Sequence, residues 1–235
     1  MVLVAAAAWS TSGLFIRWTV AISGLSALSL AFWRDLATFL CALLGLALLR
    51  PAWLRIERRD LPWFLALGAI GVGIFHFLWA LTILNIGYAA ATVLLYAAPA
   101  FVTLMAWLIW REPLTRFKIL AILMTFAGCV LVAGREQLAA VDLTAGALIL
   151  GLVTAMAYGS FSLLGRRVAP RYSPWTVLVY GFGFGALALL PFQLAAALSG
   201  TPPPWPLPAT AWIWFAGLVL FATIIPFGAY VAGLK

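Results

Sequence analysis

Eight long apolar runs follow one another along the chain and constrain its fold more than any other feature. A helix that crosses a bilayer needs about 20 predominantly apolar residues, and runs of this kind are bounded here by charged residues, Pro and Gly. They cover residues 3–20, 27–49, 61–84, 88–110, 119–133, 143–165, 174–198 and 209–231. The sequence therefore predicts an all-α, polytopic membrane helix bundle with eight spans. The fifth run is the shortest, and a tilted or partly buried segment is the alternative there.

Composition excludes a soluble globular domain. Of the 235 residues, 66% are hydrophobic and 9% are charged, whereas ordinary domains are about 45–50% apolar and about 25% charged. The net charge of +8 arises from short basic clusters between the apolar runs, so we expect no nucleic-acid partner. The first run has no basic segment before it and is interpreted as a retained span. Cys41 and Cys129 lie inside apolar runs without a neighbouring Cys or His, so we expect neither a disulfide framework nor a metal site.

Basic residues alternate between successive connections and predict the orientation. From the first connection to the seventh, the numbers of Lys and Arg are zero, four, zero, three, one, three and zero. Basic loops are retained on the cytoplasmic side of a membrane. We therefore expect the second, fourth and sixth connections and the N-terminus to be cytoplasmic, in a multi-pass protein of the cell inner membrane.

Two parts of the chain resemble two later parts at nearly the same offset. Residues 8–17 match residues 157–166 at an offset of 149, and Ile74 and Trp79 match Ile225 and Tyr230 at an offset of 151. This pattern predicts a duplicated five-helix unit, and because five is odd the second copy enters the membrane inverted. We place the first repeat at 1–140 and the second at 141–235.

The second repeat contains only the sixth, seventh and eighth helices under this interpretation. Two helices that would complete it are not present before residue 235. We expect that the sequence is a truncated form of a longer protein. The alternative is a natural protein that completes its core by pairing, so a homodimer is left open.

Three motifs resemble the drug/metabolite transporter superfamily, in particular its ten-helix EamA-type members. Residues 88–114 combine small residues, a central Pro and a terminal Arg-Glu-Pro-Leu turn, 32–34 read Phe-Trp-Arg, and 9–12 read Trp-Ser-Thr-Ser. The resemblance covers the whole chain. It implies an exporter of amino acids or similar small metabolites, with exporters of aromatic amino acids as the nearest analogy, working by alternating access between inverted halves. The second-half counterpart of 88–114 is absent, so this chain departs from the ten-helix pattern there.

Polar and aromatic side chains inside the spans are the candidates for a solute pathway, because polar groups at membrane depth are costly. His76 and Trp79 share a helix face, and Thr92, Tyr96 and Pro99 share another, where Pro99 interrupts the hydrogen-bond ladder. The predicted substrate-binding residues are Trp9, His76, Trp79, Thr92, Tyr96, Pro99, Tyr158, Ser162 and Tyr230. The alternative for each is ordinary helix packing, and for His76 it is a core histidine bonded to a carbonyl or hydroxyl group.

Arg17, Arg34 and Asp35 are the charged residues that we expect to pair or gate. Arg17 and Arg34 lie near the outer ends of the first two spans, and Asp35 is the single acid inside a predicted span. We expect Arg17 to pair with Asp35 across the short outer turn. The alternative is that both arginines extend to lipid phosphates.

The remaining motifs exclude other classes of protein. The Gly-rich stretch 181–185 lies inside a span without a preceding strand, so it predicts close helix packing and not a nucleotide loop. A single His without paired carboxylates or a metal-ligand motif gives little support to an intramembrane enzyme. We expect a carrier of a small-molecule solute in a lipid bilayer, with no cofactor, and facilitated diffusion or exchange in preference to tight ion coupling. A channel or a structural membrane subunit is the alternative.

Overall fold

The computed structural model describes residues 2–133, 144–200 and 206–233, and these residues form a bundle of helices without a β-strand. Eight helices, α1 to α8, follow the order that the sequence predicts. Helix α1 comprises Val2–Trp9 and Ser12–Ser23, α2 is Ala27–Leu49, and α3 comprises Leu61–Gly68, the π-helical stretch Ala69–Ile74 and the part of Phe75–Leu95 that precedes Gly87. Helix α4 comprises the part of Phe75–Leu95 that follows Gly87, together with Ala98–Trp110. Helices α5, α6 and α7 are Arg116–Ala133, Ala145–Val168 and Pro174–Leu198, and α8 comprises Ala209–Val219, the π-helical stretch Leu220–Ile224 and Ile225–Gly233.

Length and composition agree with a membrane setting. Five helical stretches of the described chain are long and apolar enough to cross a bilayer. Their bounds are Ala27–Leu49, Arg58–Leu95, Ala145–Val168, Pro174–Leu198 and Ala209–Tyr230. The predicted all-α polytopic membrane bundle is therefore confirmed.

Gly87 separates α3 from α4. Its φ of 76° and ψ of 164° interrupt the helical stretch, and only glycine adopts such angles without strain. Before Gly87, Thr82 bonds to Thr154 of α6, and after it Leu94 packs against Gly151 of the same helix. The chain therefore reverses at Gly87, where the sequence predicted a boundary between two spans.

α1 and α4 are both broken inside the bundle. The break in α4 falls at residues 96–97, and Pro99 lies in the first turn of the helix that follows. The sequence predicted the interruption at Pro99 itself; the structure places it just before, because proline is tolerated in a first helical turn, where its missing N–H is not needed. The break of α1 at residues 10–11 was not predicted, since no Pro or Gly marks it.

π-Helical stretches occur in α3 and in α8. They begin at Ala69 and at Leu220, which are 151 residues apart. This is the same offset at which the sequences of the two helices match. The two irregularities therefore fall at positions that the predicted duplication relates, and the duplication itself stays a prediction.

The three basic connections lie at one end of the bundle. Arg171, after α6, bonds both carboxylate oxygens of Asp60 at 2.6 and 2.7 Å, and Asp60 immediately precedes α3. Arg166, in the last turns of α6, bonds Glu112 of the fourth connection at 2.8 Å. Because α2 and α6 both end at this side while α1 ends at the other, α1 and α6 run in opposite directions.

Glycines bring α3 and α7 into backbone contact. A Cβ on Gly68 would lie 2.6 Å from the carbonyl oxygen of Gly181, and one on Gly73 would lie 2.5 Å from that of Gly185. Both distances are far below van der Waals contact. The prediction that the Gly-rich stretch of α7 serves close helix packing is confirmed.

Candidate functional site

A cavity of about 760 Å³ lies among α1, α3, α4, α6 and α8, with one side chain from α2. Its volume falls within the range of about 300–1,000 Å³ that is typical of small-molecule sites. All nine residues that the sequence selected line it, namely Trp9, His76, Trp79, Thr92, Tyr96, Pro99, Tyr158, Ser162 and Tyr230. The helix-face spacing therefore located a common wall, while the binding role of these residues stays a prediction.

Aromatic rings form much of the wall. Trp9 packs against Phe227 at 5.1 Å and Tyr230 at 5.3 Å between ring centroids, and Phe75 packs against Tyr158 at 5.1 Å and Trp79 at 6.3 Å. These separations are typical of favourable edge-to-face and offset pairs. Because the rings pack against one another, the wall does not depend on a ligand for its arrangement.

Hydroxyl groups interrupt the aromatic wall. The Ser162 and Tyr230 hydroxyls are 2.9 Å apart, and the Thr92 hydroxyl donates to the carbonyl of Tyr88 at 2.7 Å. The Tyr88 hydroxyl donates to the carbonyl of Ser10 at 3.3 Å, at the break in α1. A ligand in the cavity would therefore meet polar groups as well as rings.

Several lining residues were missed by the sequence reasoning. Tyr88 precedes Thr92 by four residues, so it shares the helix face that was selected and could have been found from that spacing. Phe227 occupies the position that corresponds to His76 at the repeat offset, which is also a usable signal. Phe75 is adjacent to His76, and no spacing rule selects it.

Arg34 is buried and lines the cavity. Its Nε donates to the Thr223 hydroxyl at 2.8 Å, and its Nη2 donates to the Ala222 carbonyl at 3.4 Å. Both partners lie in the π-helical stretch of α8. The alternative that Arg34 extends to lipid phosphates is therefore wrong, because the guanidinium group is held inside the protein by a second helix.

Asp35 and His76 form a buried contact. His76 Nδ1 lies 2.5 Å from Asp35 Oδ1, and both side chains are almost fully inaccessible. The expected pairing of Arg17 with Asp35 is wrong. Arg17 is exposed on the outer face of α1, whereas Asp35 lies on the inward face of α2. His76 is thus bonded to a carboxylate, which neither interpretation of this histidine had foreseen.

The described residues contain no group of three or more His, Cys, Asp or Glu side chains arranged to hold a metal ion. Cys41 and Cys129 are free thiols. The described lining of the cavity offers stacking on aromatic rings, hydrogen bonding to hydroxyl groups and the guanidinium group of Arg34.

Comparison with known proteins identifies the family. The EamA-like transporter family matches residues 1–134 and 145–235. The chain belongs to this family. The resemblance drawn from the motifs of the first, second and fourth helices is thereby confirmed.

Two curated relatives are uncharacterized transporters of Archaeoglobus fulgidus. This EamA-like protein is 27% identical to one of them over 170 residues, which cover 71% of the chain and 57% of the relative. It is 28% identical to the other over 123 residues, which cover 52% of the chain and 43% of the relative. The chain thus spans about half the length of these relatives.

One solved crystal structure of a protein shares the fold. The TM-score is 0.69 at 24% sequence identity, and the similarity covers 99% of this chain and 77% of the other. It supports the arrangement of helices described above.

Proposed function

We propose that this protein is a carrier that exports amino acids or similar small metabolites, in particular aromatic or amphipathic ones, by alternating access. The observation that carries the proposal is the cavity of about 760 Å³ with its aromatic wall, in a chain of the EamA-like transporter family. Aromatic rings bind flat or amphipathic solutes by stacking and burial of apolar area. The hydroxyl groups and Arg34 supply hydrogen bonds for the polar end of such a solute.

Irregular helices around the cavity support alternating access. α1 and α4 are broken, and α3 and α8 contain π-helical stretches, all in helices that line the cavity. In membrane carriers, non-helical backbone is tolerated where it lines a cavity, and inverted repeats rock about a central site. We infer that these four helices open the cavity to one side and then to the other.

The orientation of the carrier in the membrane is inferred from the position of its basic residues. The basic end, with Arg171 and Arg166, faces the cytoplasm under the positive-inside rule, which places the N-terminus on the cytoplasmic side of the cell inner membrane. Lipid covers the exposed apolar residues of the outer helices, such as Leu123 and Leu131 of α5. A homodimer is retained as the alternative to a monomer.

Counterflow in proteoliposomes tests the proposal. Vesicles loaded with unlabelled solute are assayed for uptake of the same labelled solute, with a panel of amino acids, purines and sugars. We expect saturable counterflow of aromatic amino acids. Trp79→Ala and Tyr158→Ala should each reduce the rate about tenfold or more, because they remove part of the binding wall.

Trp107→Ala is the matched control. Trp107 lies on α4, is 45% exposed and does not line the cavity, so its loss should leave counterflow close to that of the wild type. Equal losses of protein level and activity in the cavity variants would assign Trp79 and Tyr158 to packing. Flux that does not saturate and shows no counterflow would favour a channel, and no flux of any panel member would contradict the proposal.

A further inference from the structure

The Asp35–His76 contact has two unused acceptor positions. With Asp35 ionised, His76 Nδ1–H donates to Oδ1, which leaves an unprotonated Nε2. Both Nε2 and the second carboxylate oxygen, Oδ2, are buried and have no hydrogen-bond partner among the described residues. Unpartnered buried polar atoms are rare, and each calls for a reason.

The surroundings of the pair supply few other charges. Around His76, α7 and α8 contribute the rings of Phe182 and Phe227, which do not titrate. Gly185 of α7 leaves room for Asp35, since a Cβ there would lie 3.2 Å from Oδ2. Arg34 is the neighbouring charge on α2. The remaining titratable groups of the described cavity wall are the phenols Tyr88, Tyr96, Tyr158 and Tyr230.

The net charge of Arg34, Asp35 and His76 makes protonation of the Asp35–His76 pair depend on whether the cavity holds a negatively charged group. With Asp35 ionised, the charges of Arg34, Asp35 and a neutral His76 sum to zero. One additional proton would leave a net positive charge at a buried site, which is costly unless an opposite charge is close. Because Arg34 and His76 both line the cavity, the carboxylate of a bound solute can supply that charge and accept hydrogen bonds from the guanidinium group.

We propose that the protein moves one proton together with each carboxylate-bearing solute, the proton being held by the Asp35–His76 pair and the carboxylate by Arg34. As the solute binds, a hydronium ion in the cavity transfers its proton to the His76 Nε2 lone pair and becomes a water molecule. One O–H bond breaks and one N–H bond forms, and the reverse transfer to water occurs when the solute leaves. An outward solute gradient therefore carries protons outward. The inference rests on the proposed transport of amino acids and specifies its coupling, in place of the uncoupled movement that the sequence favoured.

The test follows lumenal pH in the same proteoliposomes. Vesicles contain the pH indicator pyranine, and K⁺ with valinomycin holds the membrane potential at zero. After counterflow has shown that L-tryptophan or L-phenylalanine is carried, an inward gradient of that amino acid is imposed. We expect lumenal acidification of about one proton per solute. The corresponding amino-acid amide, which lacks the carboxylate, should produce no solute-linked acidification.

Variants locate the proton site. Asp35→Asn and His76→Gln should each lower the proton flux at least tenfold relative to their own counterflow rate, and the second serves if the first fails to fold. Glu112→Gln removes a carboxylate that does not line the cavity and should keep the wild-type ratio.

The failures of the two proposals are distinguishable. Net uptake of L-tryptophan by the wild type down the imposed gradient, without a change in lumenal pH, would overturn the coupling and leave the carrier function intact. Wild-type proton-to-solute ratios in both Asp35→Asn and His76→Gln, or counterflow of the amides alone, would also overturn it. Absence of counterflow for the whole panel would contradict the carrier function itself.

Discussion

At the scale of single residues, helix periodicity predicted the cavity wall but not the contacts of the charged cluster beside it, which is formed by Arg34, Asp35 and His76. Thr92 and Tyr96 lie four residues apart on one helix, so a face could be chosen without knowing the fold. Asp35 and His76 are 41 residues apart, and Arg34 and Thr223 are 189 apart. Which helices meet decides such contacts, and that depends on packing across the whole bundle.

The hydrogen bond from Arg34 to Thr223 gives a prediction at this scale. Thr223→Val keeps the shape of the side chain but removes an acceptor of a buried guanidinium group. Because hydrogen bonds to charged groups contribute about 1.5–3 kcal/mol, we expect a loss of about 2 kcal/mol in the free energy of unfolding, measured by denaturation in detergent. Thr223→Ser retains a hydroxyl and should lose less. Equal stability of the Val variant and the wild type would show that the bond contributes nothing.

At the scale of the helices, the charged connections fixed most boundaries, and the irregularities inside helices escaped prediction. α2 and α7 begin and end where the sequence placed them, at Ala27–Leu49 and Pro174–Leu198. The π-helical stretches at Ala69–Ile74 and Leu220–Ile224 carry no local signal, because a π-helix differs from an α-helix by one inserted residue and not by a pattern of residue types.

The α3–α7 contact gives a prediction at the scale of the helices. In Gly73→Ala the new methyl group would lie 2.5 Å from the Gly185 carbonyl oxygen, so the helices must separate, at a cost of about 1–3 kcal/mol. Gly45→Ala, on α2, is the matched control because a Cβ there meets nothing within 4 Å. Thermal unfolding in detergent should show a lower Tm for Gly73→Ala and an unchanged or slightly higher one for Gly45→Ala. The reverse order would contradict the packing described here.

The fourth connection gives a prediction about pH. Hydrogen bonds from Arg166 and Lys118 lower the pKa of Glu112 below its ordinary value of 4.5. The stabilisation is therefore complete above about pH 4.5 and is lost as the pH falls through the lowered value. We expect Glu112→Gln to have a lower Tm than the wild type at pH 7, and the difference to disappear in strong acid. High salt should reduce the difference at pH 7, since the groups are partly exposed. A Tm difference that is independent of pH would contradict the assignment.

At the scale of the whole molecule, the order of eight helices and the position of the basic connections followed from hydropathy and charge alone. The backbone in a bilayer must satisfy its own hydrogen bonds, which leaves helices as the solution for apolar runs of this length. The cavity follows from the way α1, α3, α4, α6 and α8 surround one volume. Its aromatic wall could be anticipated, and the charged cluster at its edge required the three-dimensional arrangement.

Solute protection of a cavity cysteine tests the central claim, that this cavity holds the solute. Cys41 and Cys129 are replaced by serine, and Thr92→Cys is introduced on the cavity wall. Thr115→Cys in the fourth connection is the control, because Thr115 is exposed, lies outside the predicted spans and does not line the cavity. Labelling with a membrane-permeant maleimide is measured with and without L-tryptophan. We expect L-tryptophan to slow the labelling of Thr92→Cys several-fold and to leave that of Thr115→Cys unchanged. Equal labelling of Thr92→Cys with and without the amino acid, in protein that performs counterflow, would contradict the claim.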